Sequence, residues 1–193
     1  MKRASLVAFS ATSIAALVLA ACAPAATPAP TVETVRIYSS LPLTGSSAGQ
    51  TTTIVNAIQL AIEQKTDGGL VCDGKIMIDY VSLDDATAAA GKWEAAKEQE
   101  NANKAVADPD TVAYIGTFNS GAAAVSIPIL NEAGIVMVSP ANTADDLTAG
   151  ENTAKYYPNP VRNYTRVVAR DAYQGAFAAK WAAKLGAKTV YIL

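Results

Sequence analysis

Two short polar loops, each following a compact apolar run, hold the residues best suited to binding chemistry in this sequence. One is Gly116–Gly121 (GTFNSG), after Val112–Ile115, and the other is Ser139–Thr143 (SPANT), after Ile135–Val138. In a parallel α/β sheet such loops lie at the carboxyl ends of the strands, where ligands bind. Both loops are rich in hydroxyl and backbone N–H groups and contain no acid, base or thiol. This composition favours holding a small polar molecule over reacting with it.

Ser120 and Thr143 supply hydroxyl groups in these two loops, and we expect Ser120 to contact a ligand. A helix-like segment begins at Gly121, so a carboxylate beside Ser120 would meet unpaired N–H groups and the positive end of the helix dipole. Ser120 adds a hydroxyl donor without adding charge. The alternative interpretations are structural, with Ser120 as a plain helix N-cap and Thr143 as a cap before the turn at residues 144–146.

The composition argues against an enzyme. The 193 residues include no histidine, so neither a Ser-His-Asp triad nor a histidine-based metal site can form within them. No Gly-x-Gly-x-x-Gly sequence occurs, which argues against a dinucleotide site. We interpret Asp84 and Asp85 as capping a long helix that runs to about Ala107, rather than as metal-binding or acid–base groups. The sequence therefore predicts a non-enzymatic protein with no cofactor and no metal site.

The N-terminus has the features of an export signal. It begins with the basic letters MKR, continues with an apolar stretch over residues 4–21, and reaches Leu19–Cys22 (LAAC), which resembles a bacterial lipobox. We predict a signal peptide over residues 1–21, lipidation of Cys22, and a semi-rigid Pro/Ala/Thr linker over residues 22–32. The alternatives are an ordinary secretory signal, or an uncleaved anchor, with a chance cysteine. Lipidation would hold the protein on the extracytoplasmic face of a cell membrane.

Charge and cysteine content limit the partners. Removal of residues 1–21 takes away two basic residues and no acid, which leaves 13 basic and 17 acidic residues and a formal charge of −4. No cluster of lysine and arginine stands out, so we predict no nucleic-acid binding. With Cys22 acylated, Cys72 has no partner in the sequence. It is either a free thiol or paired with a cysteine after residue 193.

Strand-like and helix-like runs alternate from about residue 33 onward, which predicts an α/β fold with a parallel sheet and helices on both faces. Asp171 and Gln174 have capping-box spacing before an alanine-rich helix that runs to Leu185. A final buried strand is predicted near Thr189. Because a parallel strand there would need neighbours, we interpret the sequence as a fragment of a longer protein.

A set of motifs, each weak alone, occurs in a specific order and spacing. They are LPLTG at residues 41–45, Asp84-Asp85, YIG at 114–116, Asn119-Ser120, IPILNEAG at 127–134, SPANT at 139–143, and Arg166, Asp171 and Gln174-Gly175. Through these motifs the chain resembles the type I periplasmic binding proteins that serve ABC importers of leucine, isoleucine and valine. The resemblance covers about residues 33–193.

This resemblance implies two α/β lobes joined by a hinge, with the ligand held in the cleft between them. Residues 33–168 would form most of lobe one, and residues 169–193 would form the hinge crossing and the start of lobe two. The implied function is the extracytoplasmic binding component of an ABC importer. It would bind a small amino acid, branched-chain and aliphatic, and deliver it to the membrane permease.

The site residues that the resemblance implies carry over position by position. Ser120 aligns with the serine that hydrogen-bonds the amino acid carboxylate, and Thr143 aligns with the threonine that contacts the head group. Ala141 aligns with a position that offers backbone groups, and Phe118 and Asn119 match positions flanking the side-chain pocket. Two alternatives stay open, namely an amide or urea-type polar ligand and a ligand-sensing receptor domain with the same fold.

Overall fold

The computed structural model describes residues 31–191, which fold around a mostly parallel sheet. The eight strands are β1 (Glu33–Leu41), β2 (Leu70–Val71), β3 (Ile76–Asp84), β4 (Ala86–Thr87), β5 (Lys92–Trp93), β6 (Thr111–Gly116), β7 (Val136–Ser139) and β8 (Tyr164–Arg166). Six of them form the main sheet in the order β2-β3-β1-β6-β7-β8. All neighbours in it pair parallel except β2 and β3, which pair antiparallel at one edge. β4 and β5 form a separate hairpin.

Long crossover connections join the parallel strands. They contain α1 (Ala48–Lys65), α2 (Ala95–Ala107) and α3 (Ser120–Glu132), and short 3₁₀ turns at Asp145–Leu147 and Glu151–Tyr156 lie between β7 and β8. The helix α4 (Asp171–Lys184) follows β8. α1 lies on one face of the sheet, and α2 and α3 cover the other. The predicted α/β fold with helices on both faces is confirmed.

The face under α2 and α3 holds the core. Alternate residues of a strand point to the same side, and Tyr38, Tyr114 and Met137 from three adjacent strands meet Ile127 and Leu130 of α3 there. All five are buried, at no more than 4% exposure. The core therefore lies between the central strands β1, β6 and β7 and the helix α3.

The face under α1 is less covered. Its sheet residues and the isoleucine stripe of the helix line an apolar groove of about 460 Å³. Thr51 is the buried residue of α1, and the isoleucines of its stripe are only half-buried. The groove is lined on the sheet side by Ile37, Ile78, Ile115 and Val138, and on the helix side by Ile54, Ile58 and Ile62.

The prediction that Asp84 and Asp85 cap a long helix is wrong. The chain instead turns through the β4–β5 hairpin, and α2 begins only at Ala95. The Asp84 carboxylate accepts hydrogen bonds from the Leu43 N–H (2.8 Å), the Thr44 hydroxyl (2.6 Å) and the Ala86 N–H (2.8 Å). These bonds hold the Asp84 side chain against the loop after β1. Pairing of β4 with β5 outweighs the helix propensity of the alanines that follow Asp85.

The C-terminal predictions are wrong in two details. The helix α4 is present, but Arg170 is its N-cap, and Gln174 donates its side-chain amide to the Ala169 carbonyl (2.7 Å) instead of forming a capping box. Residues 187–191 form no strand, and Val190 and Tyr191 are exposed. A strand forms only with a partner, and none of the strands over residues 31–191 pairs with this segment.

The predicted signal peptide, the Cys22 lipidation site and nearly all of the 22–32 linker lie outside the described residues. Over residues 31–191, no helix is both long enough and apolar enough to cross a membrane. Cys72 is an exposed free cysteine.

Candidate ligand-binding site

Three loops meet at the carboxyl edge of the sheet, following the adjacent parallel strands β1, β6 and β7. They are residues 42–47, which lead into α1, residues 117–119, which lead into α3, and residues 140–144. This is the edge at which ligands bind in open α/β sheets.

Ser120 and Thr143, which the sequence analysis assigned to a ligand, lie next to each other in the structure. The Ser120 Oγ accepts hydrogen bonds from the backbone N–H groups of Thr143 and Ala144, both at 3.2 Å. A serine hydroxyl that accepts in this way still has its own proton to donate. The pair can therefore present a hydroxyl donor to an acceptor oxygen at the point where the two loops touch.

The first turn of α3 is open at its N-terminus. Asn119 is the N-cap residue, yet its side chain makes no capping hydrogen bond. Its carbonyl accepts from the N–H groups of Ala122 and Ala123, both at 3.1 Å. The earliest N–H groups of a helix have no intrahelical partner, and they carry the positive end of the dipole. An anion is the ligand class that such a terminus binds.

The other predicted positions lie in the same two loops. The Ala141 N–H is already bonded to the Ser139 Oγ (3.2 Å), so its carbonyl is the backbone group it has to offer. Phe118 is half-buried, and its carbonyl accepts from a side chain of the 140–144 loop. The Asn119 Oδ1 is buried without a hydrogen-bond partner among the described residues.

Asn142 joins the two loops and was not anticipated. It is fully buried, and its side-chain amide donates to the carbonyls of Thr117 (2.9 Å) and Phe118 (3.1 Å). Its Oδ1 accepts from the Tyr164 hydroxyl (3.0 Å) of β8. Ser139 adds a second tie by donating its hydroxyl to the Thr117 carbonyl (3.1 Å). The sequence alone does not distinguish this buried asparagine from an asparagine that is exposed on a loop.

Close packing at Gly116 fixes the strand end beneath these loops. A Cβ at this position would lie 2.6 Å from the Ser40 carbonyl oxygen of β1. Only glycine allows the two backbones to approach so closely. Any larger residue would push β6, and with it the loop before Ser120, away from β1.

A buried polar network supports the same edge from below. Glu98 of α2 accepts from the hydroxyls of Ser40 (2.5 Å) and Tyr114 (3.0 Å). Asn101 donates to the Ser40 Oγ and to the Asp84 carbonyl, both at 2.9 Å. Two side chains of one helix thus tie together the ends of β3, β1 and β6.

Two carboxyl groups in this region are buried. Burial raises the pKa of Glu98 to about 8, against the hydrogen bonds from Ser40 and Ser126, which lower it. Burial, followed by the charge of Asp84, raises the pKa of Asp85 to about 7. Both oxygens of Asp85 lack hydrogen-bond partners among the described residues. A buried carboxyl without partners is more stable neutral than charged.

One short segment between β1 and α1 matches a sequence typical of catalytic serines. Residues 45–49 (GSSAG) match the Gly-x-Ser-x-Gly sequence and lie between β1 and α1. The Ser47 backbone, however, has an unstrained right-handed conformation (φ −91°, ψ −10°), unlike the strained turn of a nucleophile elbow. The sequence has no histidine to act as its base. Residues 31–191 also contain no group of acids and cysteines arranged to hold a metal ion.

A family model described as periplasmic binding protein matches residues 34–193. The chain belongs to the periplasmic binding protein family. The Leu/Ile/Val-binding protein BraC3 of Rhizobium johnstonii is 31% identical to it over 143 residues. That alignment covers 74% of this chain and 34% of the relative, so the sequence spans about a third of the curated protein it matches.

Solved periplasmic binding proteins share the fold. The leucine-binding protein LivK of Thermotoga maritima aligns with a TM-score of 0.62 and 27% identity, over 79% of this chain and 38% of that one. A substrate-binding protein of an ABC transporter from Desulfitobacterium hafniense, in complex with Leu, aligns with a TM-score of 0.61 and 25% identity, over 80% and 40%. A Rhodopseudomonas palustris protein in complex with 3,4-dihydroxybenzoic acid has the same fold at 23% identity and a TM-score of 0.62, over 79% and 37%. The matched relatives are binding proteins of transporters rather than enzymes.

Proposed function

We propose that this protein is the extracytoplasmic substrate-binding component of an ABC importer, and that its ligand is a small amino acid with a branched aliphatic side chain. It would bind the amino acid without chemical change and release it to the membrane permease. The name of the 31% identical relative and the Leu complex of a solved neighbour support this ligand class.

The observation that carries the proposal is the contact between Ser120 and the 143–144 backbone at the open N-terminus of α3. An α-carboxylate placed there would accept from the Ser120 hydroxyl and from the first N–H groups of the helix. Neither Ser120 nor the helix N–H groups carry a formal charge, so they attract the anion through oriented dipoles. The Arg166 guanidinium lies against the same loop, where it donates to the carbonyls of Asn142 (3.0 Å) and Ala144 (2.8 Å). Such an arrangement suits reversible binding.

Replacing Ser120 with alanine tests this proposal. A hydrogen bond to a charged group contributes about 1.5–3 kcal/mol. In the full-length protein, with both lobes, Ser120→Ala should therefore weaken leucine binding about 10- to 100-fold. Isothermal calorimetry with leucine, isoleucine and valine measures the change. The variant should also lose about 1 kcal/mol of unfolding free energy, because two backbone N–H groups lose their acceptor.

Thr66→Val is the matched control. It removes a hydroxyl that also accepts from a backbone N–H group, that of Gly69 (2.9 Å), at the C-terminal end of α1 and away from the loops. It should lower stability and leave the dissociation constants unchanged. Equal affinities for the wild type and the Ser120 variant would reject the ligand role of Ser120. Saturable binding of amides or urea, with none of amino acids, would reject the amino acid as ligand.

The lobe assignment is part of the same proposal. Residues 33–168 would form most of lobe one, and residues 169–193 would begin lobe two. The exposure of α4 supports this division, because none of its residues is buried against the sheet. Closure of a second lobe over Ser120 and Thr143 would exclude water and strengthen the bonds to a charged ligand.

We further propose that the mature protein is anchored to the membrane through a lipid on Cys22. The support is the LAAC sequence after a basic and apolar start, together with the Pro/Ala/Thr segment that follows. Expressed in a bacterium, the protein should partition into detergent, and mass spectrometry should find an acylated Cys22. Cys22→Ser should lose the modification. A soluble and unacylated wild-type protein would reject the anchor without affecting the ligand proposal.

A further inference from the structure

The β4–β5 hairpin links two of the loops at the binding edge. It follows the end of β3 directly, and its Glu94 end is bonded back to Asp85 (N–H to carbonyl, 2.8 Å). The Gly91 carbonyl at its turn accepts from the Ser46 N–H (3.2 Å), just before α1. A Cβ at Gly45 would lie 1.9 Å from that carbonyl oxygen, so the two backbones are in direct contact.

The Trp93 side chain brings the hairpin into contact with the start of α3. A Cβ built on Gly121 would lie 2.6 Å from Cζ2 and 2.9 Å from Cη2 of the Trp93 ring. The six-membered side of the indole therefore rests on the Gly121 backbone, and no residue larger than glycine fits beneath it. Gly121 is the second residue of α3 and directly follows Ser120. Its φ is not in the left-handed region, so space rather than backbone conformation requires glycine there.

We propose that Trp93 and Gly121 form a matched pair that positions the first turn of α3 and shields it from water, and so sets its affinity for a ligand carboxylate. This inference rests on the proposed function. The first N–H groups of α3 bind an anion more strongly when one side of them is covered by an apolar ring, because the local dielectric is lower. The hairpin also fixes the turn relative to the loop before α1, which reduces the ordering that binding must impose.

The proposal makes Trp93 a positioning residue that acts through Gly121. Replacing Trp93 should weaken binding of the carboxylate, which all amino acid ligands share. It should not change the preference among ligands with different side chains. Trp93→Ala should weaken leucine, isoleucine and valine binding by similar factors of about 10. Trp93→Phe keeps an aromatic ring on the turn and should recover most of the affinity.

A double-mutant cycle tests the pair itself. Gly121→Ala should weaken leucine binding about as much as Trp93→Ala, since the new methyl group displaces the ring. The double variant should bind no more weakly than Trp93→Ala alone. Without ligand, Gly121→Ala should lower the melting temperature in the wild type. In the Trp93→Ala background it should raise it by about 2 °C, because alanine is the better helix residue once the space is free.

Each result separates this inference from the proposed function. If the wild type binds the amino acids and Trp93→Ala binds them equally well, the inference fails and the function stands. Additive effects of the two substitutions on affinity would also overturn it, as would a loss for one of the three side chains only. If the wild-type full chain binds no amino acid, the function and the inference fail together. The melting-temperature cycle still reports whether ring and glycine touch.

Discussion

The two faces of the sheet differ in how completely they are covered. On the α2–α3 face, Tyr114, Met137 and Leu130 are fully buried. On the α1 face, sheet residues of similar apolar character line an open groove, and the isoleucines of α1 are half-buried. The strands carry apolar residues on both sides, so the difference comes from the helices. Among residues 31–191, two helices cover one face and a single helix covers the other.

The polar residues follow the same division. The buried network of Glu98 and Asn101 lies on the well-covered face and joins the strand ends that carry the binding loops. A buried polar group that lacks a hydrogen-bond partner costs free energy, so these bonds hold α2 and the strand ends in one geometry. The face under α2 and α3 therefore provides the rigidity of the binding edge, and the α1 face contributes less to it.

The largest effect should come from a cavity on the covered face. Leu130→Ala removes a fully buried side chain of α3 and should reduce the unfolding free energy by about 2–5 kcal/mol. Denaturant unfolding followed by circular dichroism measures the loss. Ile58→Ala on α1 is the matched control, and because that side chain already borders the open groove it should cost about 1 kcal/mol or less. Equal losses at the two positions would contradict the comparison of the faces.

A smaller, pH-dependent effect should come from Glu98. Its pKa is raised to about 8 in the folded protein, so the folded state binds a proton that the unfolded state releases above pH 4.5 or so. The unfolding free energy should therefore fall as pH rises from about 4.5 to 8, by up to about 1.4 kcal/mol per pH unit for this one proton. Glu98→Gln does not titrate and should flatten the profile, because the Ser40 and Tyr114 hydroxyls can accept as well as donate.

Asp85→Asn provides a second arm of the pH experiment. The pKa of Asp85 is raised from 3.8 to about 7, so its contribution should be lost between these two values as pH rises. Between about pH 4.5 and 7 both carboxyl groups contribute, so Asp85→Asn should remove about half of the slope there. Glu98→Gln should remove the other half, together with the part between pH 7 and 8. A wild-type stability that rises over this whole range would mean that both carboxyl groups are charged in the folded protein.

The sequence was sufficient for the features that depend on local pattern. Compact apolar runs predicted β6 and β7, and the alternation of strand-like and helix-like runs predicted the α/β fold. The strand-end positions of the two loops predicted that both lie at the binding edge. These features follow from periodicity and from the rule that parallel strands end at one edge. The resemblance to the periplasmic binding proteins is confirmed by the family match.

Other features depend on contacts between distant residues, and the sequence alone did not reveal them. The alanines after Asp85 favour a helix locally, but pairing of Ala86 with Trp93 turned them into a hairpin. Glu98 and Asn101 lie in a helix rich in charged and polar residues, where nothing marks them as the buried ones. Only the tertiary fold selects which polar side chains face the core.

The hydrogen bond from the Asp171 N–H to the Thr143 carbonyl (2.9 Å) gives α4 a fixed base at the binding loop. A second tie runs from the Ala172 N–H to the Asp145 carboxylate (3.0 Å). A helix of 14 residues extends about 21 Å from such a base. A rotation of the helix by roughly 10° about these two hydrogen bonds would move its far end by about 4 Å. A small displacement of the Thr143 backbone would therefore become a larger displacement at the far end of the helix.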